Sequence, residues 1–224
     1  MMRTIAKLGV VVMLLSFAAL AANNGPVKLT ASGKAGGTPY KQVAVAGATG
    51  PLFSNLATDN KKGLYYCCAG WELTGPNWLY SQFGYQWIGI QFTLAQARTA
   101  KKITTSVSYE EPGTYTDFLI SIQADANGVP SGTPLGTGPW TVTMDSQTSG
   151  QCCSVEIETI KHGLPLAAGT YWVVWSTEAG SDLFSIINYQ VLDQVDASTV
   201  AYYAGVEGEW FSYQINEAPA VEVQ

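Results

Sequence analysis

Positively charged residues are scarce in this sequence. The chain holds 11 Lys and Arg residues against 17 Asp and Glu residues, and charged residues make up only 12% of it. After residue 22 the balance becomes 9 basic against 17 acidic residues, a net charge of about −8, and Arg98 is the only arginine left. Nucleic acids and anionic membranes are bound largely through Lys and Arg. We therefore expect neither to be a partner.

Histidine is scarcer still, because His162 is the only one in the chain. A Ser-His-Asp arrangement would need this residue, yet it lies in a Lys-His-Gly-Leu-Pro segment that is typical of an exposed turn. The chain also lacks a Gly-x-Ser-x-Gly segment to supply a nucleophile. Nucleophilic catalysis of the hydrolase type is therefore not expected.

Carboxylate pairs are the remaining candidates for catalysis. Glu110 and Glu111 precede a Pro-Gly turn, whereas Glu156 and Glu158 alternate with apolar residues, as on a solvated strand face. A glycoside hydrolase needs two acids that flank the cleaved bond, but carboxylates alone are a weak signal of one. The sequence therefore predicts no enzyme, no catalytic residue and no cofactor.

Spacings typical of metal ligands are lacking as well. Asp125 and Asn127 could offer oxygen ligands to calcium, but the twelve-residue ligand pattern is missing. Asp, Asn and Gly in this order are also typical of a tight turn. We therefore predict a turn at this place and no metal site.

The four cysteines form two adjacent pairs, Cys67-Cys68 and Cys152-Cys153. Structural zinc sites space their ligands by two to four residues, so adjacency favours disulfides over zinc in an exported chain. One connectivity joins the two pairs, closes a loop of about 85 residues and would contribute roughly 4 kcal/mol. The other has two vicinal bridges, each in a strained ring. Neighbours on a strand point to opposite faces, which favours the vicinal pairs.

Long hydrophobic runs are confined to the N-terminus. The basic residues Arg3 and Lys7 precede an apolar run over residues 8–20. This run is shorter than the ~20 residues that span a bilayer. Small residues at Ala19 and Ala21 match the positions that a signal peptidase reads. We predict a signal peptide over residues 1–22, a flexible leader over 23–41, and one domain over 42–224. The mature protein is expected to be secreted, extracellular or periplasmic.

Helical periodicity is missing after the predicted signal peptide. Apolar residues instead alternate with polar or small ones over residues 88–94, 103–109, 118–124, 140–144 and 155–157. Residues 171–175 are apolar at every position, which indicates a strand covered on both faces. Gly- and Pro-rich turns separate these segments. The pattern predicts an all-β fold, an antiparallel two-sheet β-sandwich of jelly-roll type.

Two short segments are distinctive, namely Ala168-Gly169-Thr170-Tyr171-Trp172 and the turn Asn127-Gly128-Val129-Pro130. Both segments come after Leu52-Phe53-Ser54-Asn55-Leu56 and Gly70-Trp71 in the chain, and Cys152-Cys153 lies between the turn and the Ala-Gly-Thr-Tyr-Trp segment. Over roughly residues 50–215 this order resembles the choice-of-anchor R domain-containing family of bacterial exported proteins. Proteins of this family are exported β-sandwiches held at a surface by C-terminal anchors. This sequence departs from them because residues 218–224 carry no anchoring pattern, so the resemblance implies the exported sandwich but not the surface attachment. It implies no enzymatic activity and no catalytic residues.

Aromatic residues are concentrated between residues 64 and 88, in a segment that resembles a loop over most of its length. Exposed flat rings on a rigid sandwich are typical of sugar binding, although aromatic residues also fill cores. The rings that we predict to bind ligand are Trp71, Trp78, Tyr80, Tyr85 and Trp87. We expect Trp87 to face outward if Ile88 faces inward, and Trp71 to be exposed beside Cys67 and Cys68.

Three functions are compatible with these features. The first is an exported, non-enzymatic protein that binds carbohydrate or another extracellular ligand through these aromatic residues. The second is a structural surface or matrix component that associates with itself through strand edges or loops. The third and weakest is an enzyme acting on polysaccharides through Glu110, Glu111, Glu156 or Glu158.

Overall fold

The computed structural model describes residues 28–30, 50–55, 66–78, 84–109, 114–144, 154–189, 198–205, 207–215 and 218–224. The predicted signal peptide lies outside these ranges, as do Tyr80, Cys152, Cys153 and the side chains of Cys67 and Cys68. Within the described ranges no helix is long and apolar enough to cross a membrane.

The described residues form fourteen strands. In chain order they are β1 (Lys28–Thr30), β2 (Phe53–Ser54), β3 (Tyr66–Thr74), β4 (Gln86–Leu94), β5 (Arg98–Tyr109), β6 (Asp117–Asp125), β7 (Pro130–Pro134), β8 (Trp140–Thr143), β9 (Ser154–Leu166), β10 (Gly169–Ser176), β11 (Phe184–Tyr189), β12 (Ser198–Ala204), β13 (Glu209–Ile215) and β14 (Val221–Val223). The strands predicted from alternation are all present.

The strands build two antiparallel sheets. The first sheet has the order β1-β3-β11-β5-β14-β2, and β9 also pairs with β5. The second has the order β13-β12-β4-β10-β6-β7, with β8 also paired to β6. The predicted all-β, two-sheet antiparallel β-sandwich is confirmed.

Eight of these strands follow jelly-roll connectivity. They give the order β3-β11-β5-β9 in the first sheet and β4-β10-β6-β8 in the second. The chain passes from one sheet to the other at each step between these strands, except from β6 to β8. Two Greek keys combined in this way make a jelly roll. Of the remaining strands, β1 pairs with β3 and β14 pairs with β5 and β2 in the first sheet, whereas β7 pairs with β6 and β12 and β13 widen the second sheet beside β4.

The core lies between the inward faces of the two sheets. Ile88, Ile90, Phe92 and Leu94 of β4 are all buried in it, as their alternation predicts. Trp175 of β10 is buried there too, and its indole Nε1 donates to the Thr105 hydroxyl at 3.1 Å. A partner for this buried polar group keeps its burial from costing free energy.

The outward face of the first sheet is buried as well. Ser106 and Ser108 of β5 and Asn188 of β11 are fully buried. The Ser106 hydroxyl donates to Asn188 Oδ1 at 2.9 Å, and Asn188 Nδ2 donates to the Ser108 hydroxyl at 3.0 Å. Alternation over residues 103–109 predicts that β5 is buried on one side only. This prediction is wrong, since buried polar side chains fill its second face.

Candidate ligand-binding surface

One row of aromatic side chains crosses three strands on the outward face of the second sheet. Since Ile88 points into the core, Trp87 points outward. Tyr203 of β12 lies directly opposite Trp87 in the register, and Trp210 of β13 lies directly opposite Tyr203. Tyr85, two residues before Trp87, joins this row. We call Tyr85, Trp87, Tyr203 and Trp210 the aromatic surface.

The four rings of the aromatic surface contact one another through Tyr203. The Trp87 and Tyr203 rings are stacked, with centroids 4.9 Å apart and planes inclined by 20°. Tyr203 meets Tyr85 at 5.7 Å and Trp210 edge-on at 5.5 Å, and Tyr85 also meets Trp87 at 5.1 Å. All four residues are half-buried rather than enclosed. A contiguous group of aromatic rings is thus open to solvent on one face of the sandwich.

Hydrogen bonds fix the orientation of these rings. The Trp87 indole Nε1 donates to the Thr177 hydroxyl at 3.1 Å. Burial, and then the hydrogen bond and charge interaction with Tyr203, raise the pKa of Tyr85. The Gly205 amide donates to the Tyr85 carbonyl at 2.8 Å, which ties the turn after β12 to the same place. Rings held in one orientation lose little conformational entropy when a ligand binds.

The Tyr85 ring occupies space that a side chain at residue 205 would fill, so a glycine is needed there. A Cβ at residue 205 would lie 2.3 Å from Cδ1 of the Tyr85 ring. We expect Gly205→Ala to displace this ring and, if the aromatic surface binds a ligand, to weaken that binding by roughly tenfold, the loss of one well-placed aromatic contact. Isothermal titration with the ligand of the wild-type protein checks this. Gly50→Ala is the matched control, because no atom lies within 4 Å of its Cβ position. Equal affinity of both variants would contradict the expectation.

Beyond the aromatic surface, the same face of the second sheet carries a small apolar cluster. Trp172, Val174 and Ala201 are buried there, and Trp210 packs against them. A Cβ on Gly89 would lie 3.3 Å from Pro130 and 3.4 Å from Trp172, so the start of β7 covers this part of the face. The aromatic surface lies beyond this covered part of the face, at the Trp87 end of β4.

The Asp125 carboxylate accepts three hydrogen bonds in the covered part of this face. Its Oδ1 accepts from the Trp172 indole at 2.8 Å and from Gln91 Nε2 at 3.1 Å, and its Oδ2 accepts from the Gly128 amide at 3.0 Å. Burial raises the pKa of Asp125, but these hydrogen bonds outweigh it and bring the pKa below its usual value. Asn127 and Gly128 have φ angles of 59° and 87°. The predicted turn is present, and its carboxylate accepts from protein donors.

The predicted ligand-binding residues do not lie together. Tyr85 and Trp87 belong to the aromatic surface, but Trp78 stacks on Phe184 at 4.8 Å beside the first sheet. Trp71 is 0% exposed in the core, so the expectation that it is a surface ring is wrong. It alternates along β3 with Gly70 and Glu72, and its side of that strand faces the second sheet. Tyr80 lies outside the described residues.

Sequence reasoning missed Tyr203 and Trp210. The short turn between β12 and β13 places Ala204 opposite Glu209, and Tyr203 then lies opposite Trp210. If the residues of a hairpin are paired one by one on either side of this Gly-flanked turn, Tyr203 is predicted to lie opposite Trp210. Their position beside Trp87 depends on the pairing of β12 with β4, which are more than a hundred residues apart in the chain. Nothing in the local pattern indicates that contact.

Of the candidates for catalysis, only His162 and Glu158, both on β9, have described side chains. His162 is exposed with a φ of 66°, at a register shift between β5 and β9. Glu158 is half-buried rather than solvated, and burial raises its pKa against the lowering effect of Lys161. Glu110, Glu111 and the side chain of Glu156 lie outside the described residues. In the described part of the chain, no group of three or more His, Cys, Asp or Glu residues could hold a metal ion.

The predicted disulfides stay predictions. Cys67 and Cys68 belong to β3, at a register shift against β11, where Gly70 pairs with Asn188 and Tyr66 pairs with Tyr189. Their side chains, and both Cys152 and Cys153, lie outside the described residues. Neither connectivity is therefore favoured by the structure.

Comparisons with known proteins leave the family open. Neither a family model, nor a curated protein, nor a solved structure matches the chain. The resemblance to choice-of-anchor R domain proteins stays an expectation from the sequence. A function can therefore be inferred only from the geometry of the aromatic surface.

Proposed function

We propose that this protein is a non-enzymatic carbohydrate-binding protein and that the aromatic surface is its binding site. The observation that carries the proposal is the row Trp87, Tyr203 and Trp210, in which half-exposed rings occupy one register across three strands. Trp87 stacks on Tyr203, and Trp210 meets Tyr203 edge-on. Sugar rings present apolar C–H faces that pack on aromatic rings, and exposed aromatic groups on a rigid scaffold are typical of binding sites.

Polar side chains next to the rings suit the hydroxyl groups of a sugar. Ser212 and Gln214 are exposed on the same face of β13 as Trp210. Each can donate and accept hydrogen bonds. A site that combines an apolar platform with a few polar groups is the usual composition of a small-ligand site.

The charge near the aromatic surface favours a neutral ligand. Glu207 lies in the turn between Tyr203 and Trp210, the exposed Glu209 begins β13, and the whole chain has a net charge of −6. Like charges raise the free energy of an anionic polysaccharide near this surface. We therefore propose neutral glycans, met outside the cell if the predicted signal peptide directs export.

A glycan array of neutral and acidic oligosaccharides tests this proposal. We expect the mature protein to bind neutral glycans and the double variant Trp87→Ala/Trp210→Ala to bind none. Trp78→Ala is the matched control, because that half-buried ring stacks on Phe184 beside the other sheet. It should bind as the wild type does, and circular dichroism should show that all three proteins are folded. No binding by the wild type, or binding that only Trp78→Ala abolishes, would refute the proposal.

A further inference from the structure

Strand β13 ends the second sheet. It pairs with β12 over its whole length, from Ser198 opposite Ile215 to Ala204 opposite Glu209, without a register shift. No described strand pairs with its other side. An edge strand of this kind presents a row of backbone N–H and C=O groups that another strand can bind.

The hydrogen bonds around the β12–β13 turn show which backbone groups point to the open side. The Gly205 amide donates to Tyr85, next to β4, whereas the Ala204 carbonyl accepts from the amides of Glu207 and Gly208, towards β13. Backbone groups alternate between the two sides of an antiparallel strand. Ala204 therefore pairs with Glu209 through hydrogen bonds. The backbone N–H and C=O groups of Trp210, Ser212 and Gln214 point to the open side.

The edge of β13 has few of the features that keep edge strands apart, because Glu209 at its first position is its one charged residue. Its sequence, Glu-Trp-Phe-Ser-Tyr-Gln-Ile, holds no Lys and no Pro, and its pairing with β12 has no bulge. Charged residues, prolines and bulges are the usual means of preventing edge-to-edge pairing. Aromatic residues at positions 210, 211 and 213 also have a high preference for strands. This edge is therefore suited to pairing with another strand.

We propose that β13 pairs antiparallel with β13 of a second copy of this chain, with Ser212 of each copy at the two-fold axis. This register joins the three residues whose backbone groups point outward. Ser212 pairs with Ser212, Trp210 with Gln214 and Gln214 with Trp210, and each pair exchanges two backbone hydrogen bonds.

The proposed register is self-complementary in its side chains. Phe211 of one copy lies opposite Tyr213 of the other on the core side, and this happens twice by symmetry. Directly opposed aromatic residues stabilise a sheet by about 0.2–1 kcal/mol per pair. Glu209, the only charged residue in β13, lies opposite Ile215, so no like charges meet across the axis. A second copy therefore fits this edge without a repulsive pair.

Such a dimer would have one continuous sheet with both aromatic surfaces on the same side. The two-fold axis stands perpendicular to the sheet, so the outward face of one copy continues in the other. A pair of short strands buries little area, which places the contact among weak interfaces. Two sites on one face could still bind a repetitive polymer with increased avidity. This last consequence depends on the proposed function, whereas the pairing itself does not.

Sedimentation equilibrium of the mature protein over a wide concentration range tests the pairing without any ligand. We expect a reversible monomer–dimer equilibrium for the wild type. Ser212→Pro removes the outward N–H at the axis, and Ser212→Lys places two ammonium groups opposite each other. We expect at least a tenfold weaker dimer for both. Ser212→Ala keeps the N–H and should dimerise as the wild type does.

The two disruptive variants separate loss of folding from loss of pairing. Ser212 is exposed on an edge strand, so Ser212→Lys should keep the wild-type melting temperature even if Ser212→Pro does not. A wild type that stays monomeric at the highest concentration would overturn the inference. So would folded Ser212→Lys protein that dimerises as strongly as the wild type.

Discussion

Replacing Glu72 by Gln is expected to remove a pH-dependent loss of stability of about 3 kcal/mol. Glu72 lies on β3, 5% exposed, on the outward face of the first sheet. Burial raises its pKa from 4.5 to about 7. Each pKa unit corresponds to about 1.4 kcal/mol, so a shift of this size corresponds to about 3 kcal/mol.

The direction of this pH dependence follows from proton binding. Between pH 4.5 and about pH 7 the folded protein keeps the Glu72 proton while the unfolded chain has lost it. Since the folded state binds more protons there, the free energy of unfolding falls as the pH rises. The stability is complete below pH 4.5 and is lost once the pH has passed about 7. Gln is neutral and of similar size, so it should not show this loss.

Urea unfolding at a series of pH values, compared between the wild type and Glu72→Gln, measures this effect. The free energy of unfolding of the variant relative to the wild type should grow by about 3 kcal/mol from low to neutral pH. Glu209→Gln is the matched control, because it removes one carboxyl from an exposed position on β13, and the difference for Glu72→Gln should change more with pH than the difference for this control. A difference for Glu72→Gln that does not change with pH would contradict the burial of this carboxyl.

Tyr203→Ala is expected to weaken glycan binding by at least thirtyfold. The Tyr203 ring contacts those of Tyr85, Trp87 and Trp210, so its removal also frees its neighbours to change orientation. A central aromatic residue in a binding site commonly contributes about 2 kcal/mol or more. Isothermal titration with a glycan that binds the wild type gives the change in Kd directly.

Tyr115→Ala is the control for Tyr203→Ala. Tyr115 is an exposed ring, 37% accessible to solvent, and it is outside the aromatic surface. Its backbone amide, which donates to Asp182, is unaffected by the change of side chain. The control should bind with the wild-type Kd. Equal losses of affinity in both variants would show that binding does not depend on the aromatic surface.

The sandwich itself could be predicted because alternation is a local property. In β4 the apolar residues at positions 88, 90, 92 and 94 are separated by Gly89, Gln91 and Thr93, and burial follows this pattern closely. The central position of β10 could be predicted from its continuous apolar run, which is also a local property, and Trp172 to Trp175 are indeed buried on both faces. Strands that bury one face against the core encode their orientation in their own residues.

The error at Trp71 has a physical origin in the first sheet. Glu72 is buried on its outward face, so β3 carries a charged residue where alternation would predict solvent. Gly70 weakens the strand pattern further, although the structure requires it. A Cβ at that position would lie 2.1 Å from the Ile187 carbonyl oxygen. A strand covered on both faces, with glycine at a close backbone approach, therefore resembles a loop in sequence.

The candidate site could be predicted only in part. Trp87 was placed outward by its neighbour Ile88, but its partners come from a hairpin near the other end of the chain. The order of strands in a sheet depends on long-range pairing, and no periodicity within a segment reports it. The sequence therefore predicts Tyr85 and Trp87 correctly as members of the site. It groups them with rings that are near in sequence, whereas their partners in space, Tyr203 and Trp210, are missed.

The indole N–H signals of the seven tryptophans offer the most direct test of the aromatic surface as the binding site. In a two-dimensional ¹⁵N–¹H NMR titration with a bound neutral glycan, the signals of Trp87 and Trp210 should shift most. Those of Trp71 and Trp175, which are fully buried, and that of Trp78 should stay in place. Shifts confined to Trp78, or no shift at Trp87 and Trp210 while the glycan is bound, would contradict the account.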